Sequence, residues 1–299
     1  MSVNNAKYVC KTRSHLRRGE KQLMKDRLPH QPELQVSQIE KAMADLYDHY
    51  YVSHEYSKRY PKPNETTLEF LFGNGAENAR NVLDYGCGNG RYALPLLQKT
   101  SAHVTAFDIS AAAIDELATH LHDTSFADRA RLVHGDAGQL NQHGKFDLVL
   151  MMFGVLSHVG DRAARLATLR QLRNLMHPQG KLILSVPSIF RRRPFELLRT
   201  HIQRVRGTAS ETKSEPGNIL FTRSIASEPH QFFYHLYSVA GLTEEMREAG
   251  FRISKLEPES LLPEWMITQF PLLGKLDAAL LPLLPAALGY GICAVAELI

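Results

Sequence analysis

Three cysteines in 299 residues, at positions 10, 87 and 293, leave little room for disulfide or metal chemistry. No pair stands at metal-ligand spacing, and an odd number suits a reducing compartment, so a cytoplasmic protein is expected. The N-terminus lacks the apolar core of a secretion signal. Repeats and low-complexity tracts are missing too. One run, Ala278 to Ala296, is uncharged over 19 residues, but Pro282, Pro285, Gly289 and Gly291 interrupt it. It has the length of a bilayer span without the continuity, and no stable transmembrane anchor is expected.

Net charge is scarce beyond the first residues, although Arg191-Arg192-Arg193, Arg199, Arg204 and Arg206 form a second basic cluster. The net charge is +4, yet residues 1–35 hold eight Lys or Arg against three acids, a balance of +5. They form a basic N-terminal extension, whether simply solvated or in contact with RNA, an anionic membrane or a protein. The remainder, 36–299, has the size of one large domain, and the chain as a whole is 44% hydrophobic.

What is present centres on Val82-Leu83-Asp84-Tyr85-Gly86-Cys87-Gly88-Asn89-Gly90, a short apolar strand running into a glycine loop. A second apolar run, Val104 to Phe107, ends on Asp108. Strand, glycine turn, helix and a carboxylate-tipped strand describe a nucleoside-binding half of a doubly wound sheet. A dinucleotide fingerprint needs glycine at position 91, where Arg91 stands, so a nicotinamide dehydrogenase fits poorly. The pattern G-x-G-x-G suits a ligand with no pyrophosphate to place.

Alternation continues along the chain. Strands are expected at Asn81–Tyr85, His103–Phe107, Arg131–His134, Phe146–Met152 and Lys181–Val186. Helices fall at 90–99, after Ser110 (Ile114, Leu117, Leu121), and from Asp161 to Met176, with His177-Pro178-Gln179-Gly180 as a break. This order gives a mostly parallel α/β sheet with right-handed crossovers. Phe251–Leu256 and Tyr290–Leu298 complete seven strands, the last pair antiparallel, joined through a helical 272–284. Residues 187–240 are too long for an ordinary connection and are expected to form a substrate lid.

Over residues 80–190 the chain resembles the class I S-adenosylmethionine-dependent methyltransferases. The resemblance implies S-adenosyl-L-methionine as cofactor and gives roles to matching positions. Asp84, Gly86 and Gly88 would hold its methionine part. Asp108 would bind the ribose and Ile109 pack on the adenine. Asp136 would bond the adenine amino group beside Ala137, and Phe153 would lie near the sulfonium. For Asp108 the alternative is a helix-capping carboxylate, and for Gly135-Asp136-Ala137 an ordinary turn. In the Tyr47–Leu71 segment, which carries five tyrosines, Arg59 is a donor for the cofactor carboxylate or else a surface arginine.

Methyl transfer needs orientation and exclusion of water more than protein chemistry, with a general base useful for a hydroxyl acceptor. His158, at the carboxyl end of the fourth strand, is one candidate; His235 and Tyr234 are the others, and each histidine has a structural alternative. Phe153 to Val159 resembles the quinone-biosynthesis O-methyltransferases, with Gly154 and Ser157 replacing their glutamates. Gln231-Phe232-Phe233-Tyr234-His235-Leu236-Tyr237, ahead of a helix to Ala249, resembles the wobble-uridine tRNA methyltransferases. Three functions follow: methylation of a small or lipid-like molecule at O or N, modification of RNA, or a non-catalytic nucleoside-binding scaffold. The Trp265–Leu284 stretch is a candidate apolar rim for a lipid-like acceptor.

Overall fold

The computed structural model describes residues 38–299. The basic segment 1–35 lies outside the described residues. Five parallel strands, β1 (Asn81–Tyr85), β2 (His103–Asp108), β3 (Ala130–His134), β4 (Phe146–Met151) and β5 (Met176–Pro187), are joined by β9 (Gly291–Leu298) and β8 (Phe251–Ser260). The sheet order is β3-β2-β1-β4-β5-β9-β8, with β9 antiparallel to both neighbours. Strand order reverses between β1 and β4, which splays the connections apart and leaves a crevice at the carboxyl ends of those strands.

Alternate residues of each strand feed opposite faces. Leu83, Val149 and Leu182 point to the side covered by helices Arg162–Leu175 and Val239–Glu248. Val82, Leu148 and Ile183 point to the side covered by Ala93–Lys99 and Ala111–Leu121. These strands are buried on both faces, which explains their nearly unbroken apolar sequences. Each fully buried Leu or Ile contributes about 1.5–3 kcal/mol.

A third cluster roofs the crevice. Helix Ile39–Val52 buries Met43, Leu46, Tyr50 and Tyr51 against a two-stranded hairpin, β6 (Asn218–Ile225) and β7 (Glu228–His235). Residues 187–240 therefore carry structure of their own: helix Pro194–Val205 and this hairpin. The aromatic-His run is most of β7.

One expectation is corrected. His177 to Gly180 does not break the chain between helix and strand, because β5 starts at Met176 and runs through it. Its pairing with β4 shifts register between Phe146 and Leu148. That irregularity accommodates Pro178, which has no N–H to give a regular ladder.

Candidate active site

β1 delivers the glycine loop to the crevice. The Gly86 and Cys87 N–H groups both donate to the Phe107 carbonyl, at 2.8 and 2.9 Å, folding the loop over the end of β2. Gly86 and Gly88 take φ of 79° and 54°, a region that penalises a Cβ. Space forbids one as well: on Gly88 it would strike the Tyr51 hydroxyl, and on Gly86 the Val155 side chain.

Asp108, at the tip of β2, is buried and organises this edge. Its carboxylate accepts the Gly88 N–H at 2.8 Å and the Ser110 N–H at 2.9 Å. Burial raises its pKa, outweighing those two bonds. Ser110 caps the following helix by accepting the Ala113 N–H, and donates its hydroxyl to Asp48 at 2.7 Å. Asp48 belongs to helix Ile39–Val52, so this bond ties the roof to the carboxyl end of β2.

The crevice is a cavity of about 580 Å³. Gly86, Gly88, Asp108, Ile109, Asp136, Ala137, Phe153 and His158 all lie on its wall, so most expected site residues converge. Tyr47, Tyr51 and Tyr56 close it from above. Three carboxylates, Glu40, Asp108 and Asp136, are on the wall and no Lys or Arg is, among the described residues.

Asp84 lies one layer deeper, fully buried, and its Oδ2 has no hydrogen-bond partner among the described residues. Burial, with Asp108 nearby, pushes its pKa up to about 7. A buried carboxyl with one oxygen unpartnered, beneath a glycine loop, fits a ligand that brings an ammonium group. A loop without a Cβ and three acids on the wall, Asp108 among them, fit the rest of a cationic nucleoside.

Phe153 follows β4 with φ of 61°, a strained conformation for an aromatic residue, held by its N–H donating to Ser185 Oγ at 2.7 Å. Arg91 packs behind it, its guanidinium 4.8 Å from the ring centroid. That guanidinium donates to Glu264 and to the Lys62 carbonyl, both at 2.6 Å. Its Nε and Nη1 are buried with no hydrogen-bond partner among the described residues. In the sequence Arg91 registered only as the absence of a third glycine, and its burial carried no signal there.

His158 is held at both ring nitrogens. The Phe233 carbonyl sits 2.9 Å from Nδ1, which requires the proton there, so Nε2 accepts the Tyr47 hydroxyl at 2.9 Å. Burial lowers its pKa to about 3, and it is neutral near pH 7. Tyr234 packs on the other side of the ring at 4.3 Å but does not reach the cavity wall.

Two expected residues are drawn elsewhere. Arg59 bonds the Tyr60 hydroxyl at 3.2 Å and lies 5.5 Å over the Trp265 ring, off the cavity wall. The cation–π contact accounts for its turning away. His235 is also off the wall, its Nδ1–H donating to Asn218 Oδ1 at 2.6 Å; a carbonyl oxygen only accepts, so Nδ1 carries the proton. Burial, then the Arg165 charge, lowers its pKa to about 2. Glu215, His235 and Glu245 converge as metal ligands would, but the Arg165 guanidinium already bonds Glu215 at 2.5 Å and Glu245 at 2.6 Å. The cluster is an ion-pair network.

The profile of the methyltransferase domain family matches residues 54–256, which contain the glycine loop, both acids and the hairpin. The chain belongs to the methyltransferase domain family. It is an S-adenosylmethionine-dependent enzyme with the Rossmann-like sheet of that class. Among relatives, a putative methyltransferase of Encephalitozoon cuniculi is 28% identical over 176 residues, 58% of this chain and 70% of the relative. A tRNA1(Val) (adenine(37)-N6)-methyltransferase of a Flavobacteriaceae bacterium is 31% identical over 74 residues, 24% of this chain and 32% of its own. The same fold appears in the Burkholderia thailandensis 1,6-didemethyltoxoflavin-N1-methyltransferase, solved with 1,6-didemethyltoxoflavin and S-adenosylhomocysteine bound. That protein is 18% identical, with a TM-score of 0.58, over 90% of this chain and 92% of its own. No helix among the described residues is long and apolar enough to cross a membrane.

Proposed function

We propose that this methyltransferase acts on an oxygen or nitrogen of a small or lipophilic molecule. The observation that carries the reading is the cavity wall: aromatic above, acidic at the nucleoside edge, and free of Lys and Arg among the described residues. Such a wall attracts a cationic sulfonium and offers nothing to the phosphates of a polynucleotide. The cofactor, when bound, supplies the electrophilic methyl carbon.

The chain's own residues divide the remaining work. Asp84 and the loop at Gly86 and Gly88 hold the amino-acid end. Asp108 holds the sugar, Ile109 and Ala137 flank the base, and Asp136 faces its amino group. Phe153 lies along the reacting end and helps exclude water. Tyr47 presents its oxygen to the acceptor while its proton is engaged by His158, so an acceptor N–H or O–H can be aligned by a lone pair on the Tyr47 oxygen. Residues 187–240 act as the substrate lid, with Tyr234 and His235 serving to place His158 and the hairpin. Lipid-like acceptors are favoured by the tyrosine roof.

Isotope-labelled methyl transfer into a fractionated extract tests the acceptor class. Label in organic-soluble material supports the reading, and label confined to RNA overturns it. Calorimetry with S-adenosylmethionine against NAD tests the cofactor assignment on this chain directly.

A further inference from the structure

Two helices outside the catalytic cavity turn apolar faces to solvent. In Pro194–Val205 the residues Phe195, Leu198, Ile202 and Val205 recur at helical spacing and are exposed, Phe195 by 83%. The opposite side of that helix packs on the hairpin cluster through Leu197 and buries Thr200. In Pro271–Leu280 and the turn after it, Leu272, Leu276, Leu280 and Leu283 are likewise exposed, Leu272 by 82%. Stripes of this kind on a protein surface call for a partner.

The two helices are tied together. Arg191, just before the first, donates to the Leu261 carbonyl at 3.0 Å, and the Leu261 N–H donates to Asp277 of the second at 2.9 Å. Both leave from the carboxyl end of the sheet, where Ser188 and Ile189 pair with Tyr290 and Tyr237 beyond the end of β5. They therefore flank the side from which an acceptor enters.

Charge selects the partner. Residues 190–206 hold six arginines and one acid, Glu196, which is paired with Arg193. Arg191, Arg199 and Arg206 are exposed along this helix, and Lys275 is exposed beside Leu272 and Leu276. An amphipathic helix with bulky apolar residues on one side and arginine at its rim is suited to lie in the headgroup boundary of an anionic bilayer. A second copy of the chain would bring arginine face to face with arginine. A polynucleotide would meet leucine and phenylalanine where its phosphates need cations.

We infer that helices Pro194–Val205 and Pro271–Leu280 together dock this protein peripherally on anionic lipid surfaces, with Phe195, Leu198, Leu272 and Leu276 inserted and the arginines on the headgroups. The inference does not depend on which acceptor the cavity takes. It would bring a membrane-dissolved acceptor to the cavity mouth.

Co-sedimentation of the full chain with phosphatidylcholine vesicles, with and without about one-third phosphatidylglycerol, tests it. Binding is expected to the anionic vesicles, weakening with salt. Residues 1–35 are also basic and could hold the chain to vesicles by charge alone, so variants decide. Phe195→Glu with Leu198→Glu, and separately Leu272→Glu with Leu276→Glu, are each expected to lower partition at least about tenfold. Cofactor calorimetry on the same variants, expected unchanged, reports that they fold. Undiminished vesicle binding in both double variants, or self-association or RNA binding by the wild-type chain without vesicle binding, overturns the inference.

Discussion

Asp108 is defined by what its carboxylate already holds: the Gly88 and Ser110 N–H groups fix its orientation before any ligand arrives. Charged hydrogen bonds of this kind are worth about 1.5–3 kcal/mol each, so Asp108→Ala should weaken cofactor binding about ten- to a hundredfold. Calorimetry checks this, and unchanged affinity in a folded variant refutes the ribose assignment. Asp84 makes a different statement. With its pKa near 7, it is protonated at pH 6 until a ligand ammonium draws the proton off. Cofactor binding at pH 6 should therefore release a proton, seen as a dependence of binding heat on buffer ionisation heat, and Asp84→Asn should abolish that release. His158 has the opposite sign. Its folded pKa is depressed, so its contribution to stability is present above pH 6.5 and is lost as pH falls toward about 3, where the unfolded chain takes up a proton the folded one refuses. Buried acids with raised pKa values, Asp84 among them, act in the other direction, so the difference between wild type and His158→Asn is the quantity to follow. That difference should shrink by about 1.4 kcal/mol per pH unit between pH 6 and 5 in denaturant titrations. A constant difference would mean that His158 is not held neutral.

The hairpin β6–β7 closes through Ala226 and Ser227, both in the left-handed region with φ of 49° and 71°. A two-residue hairpin turn needs that conformation at both positions and normally recruits Asn and Gly for it. Neither is present, so nothing in the sequence announced a hairpin inside residues 187–240, and only the length of the segment did. Ser227→Gly should raise unfolding stability by about 0.5–1 kcal/mol, measured by chemical denaturation; a loss of stability would show that the turn is not strained. Elements with strong periodicity were legible: the first four parallel strands, the Ser110 cap and the final strand fell within a residue or so of their structural bounds, while β5 begins five residues early and β8 runs four residues on. The placement of the glycine loop and the strand-tip acid on one cavity wall was legible for the same reason, because both are local signals. Arg59 was named as a carboxylate donor, but its place over Trp265, off the cavity wall, is set by residues distant in sequence.

Across the whole molecule, Arg165 joins the parts that the sheet does not. Its side chain is fully buried and bonds Glu215 at the foot of the hairpin and Glu245 of helix Val239–Glu248, where Glu245 also accepts the Tyr237 hydroxyl. Removing one member of such a network strands the others without water, so Arg165→Met should cost about 3–5 kcal/mol in denaturant unfolding. A loss under about 1 kcal/mol would place the ion pairs among surface contacts instead. No sequence pattern pointed to this network, because its partners lie on three separate elements. The placement of β9 has a consequence for how the chain is made. β8 emerges during synthesis with no partner, and the strand that must slide between it and β5 comes only after the helices and turns of 261–290. Until then two open β borders face outward, a window in which nascent chains can stick to one another, and a message cut short before Gly291 would leave that window permanently ajar.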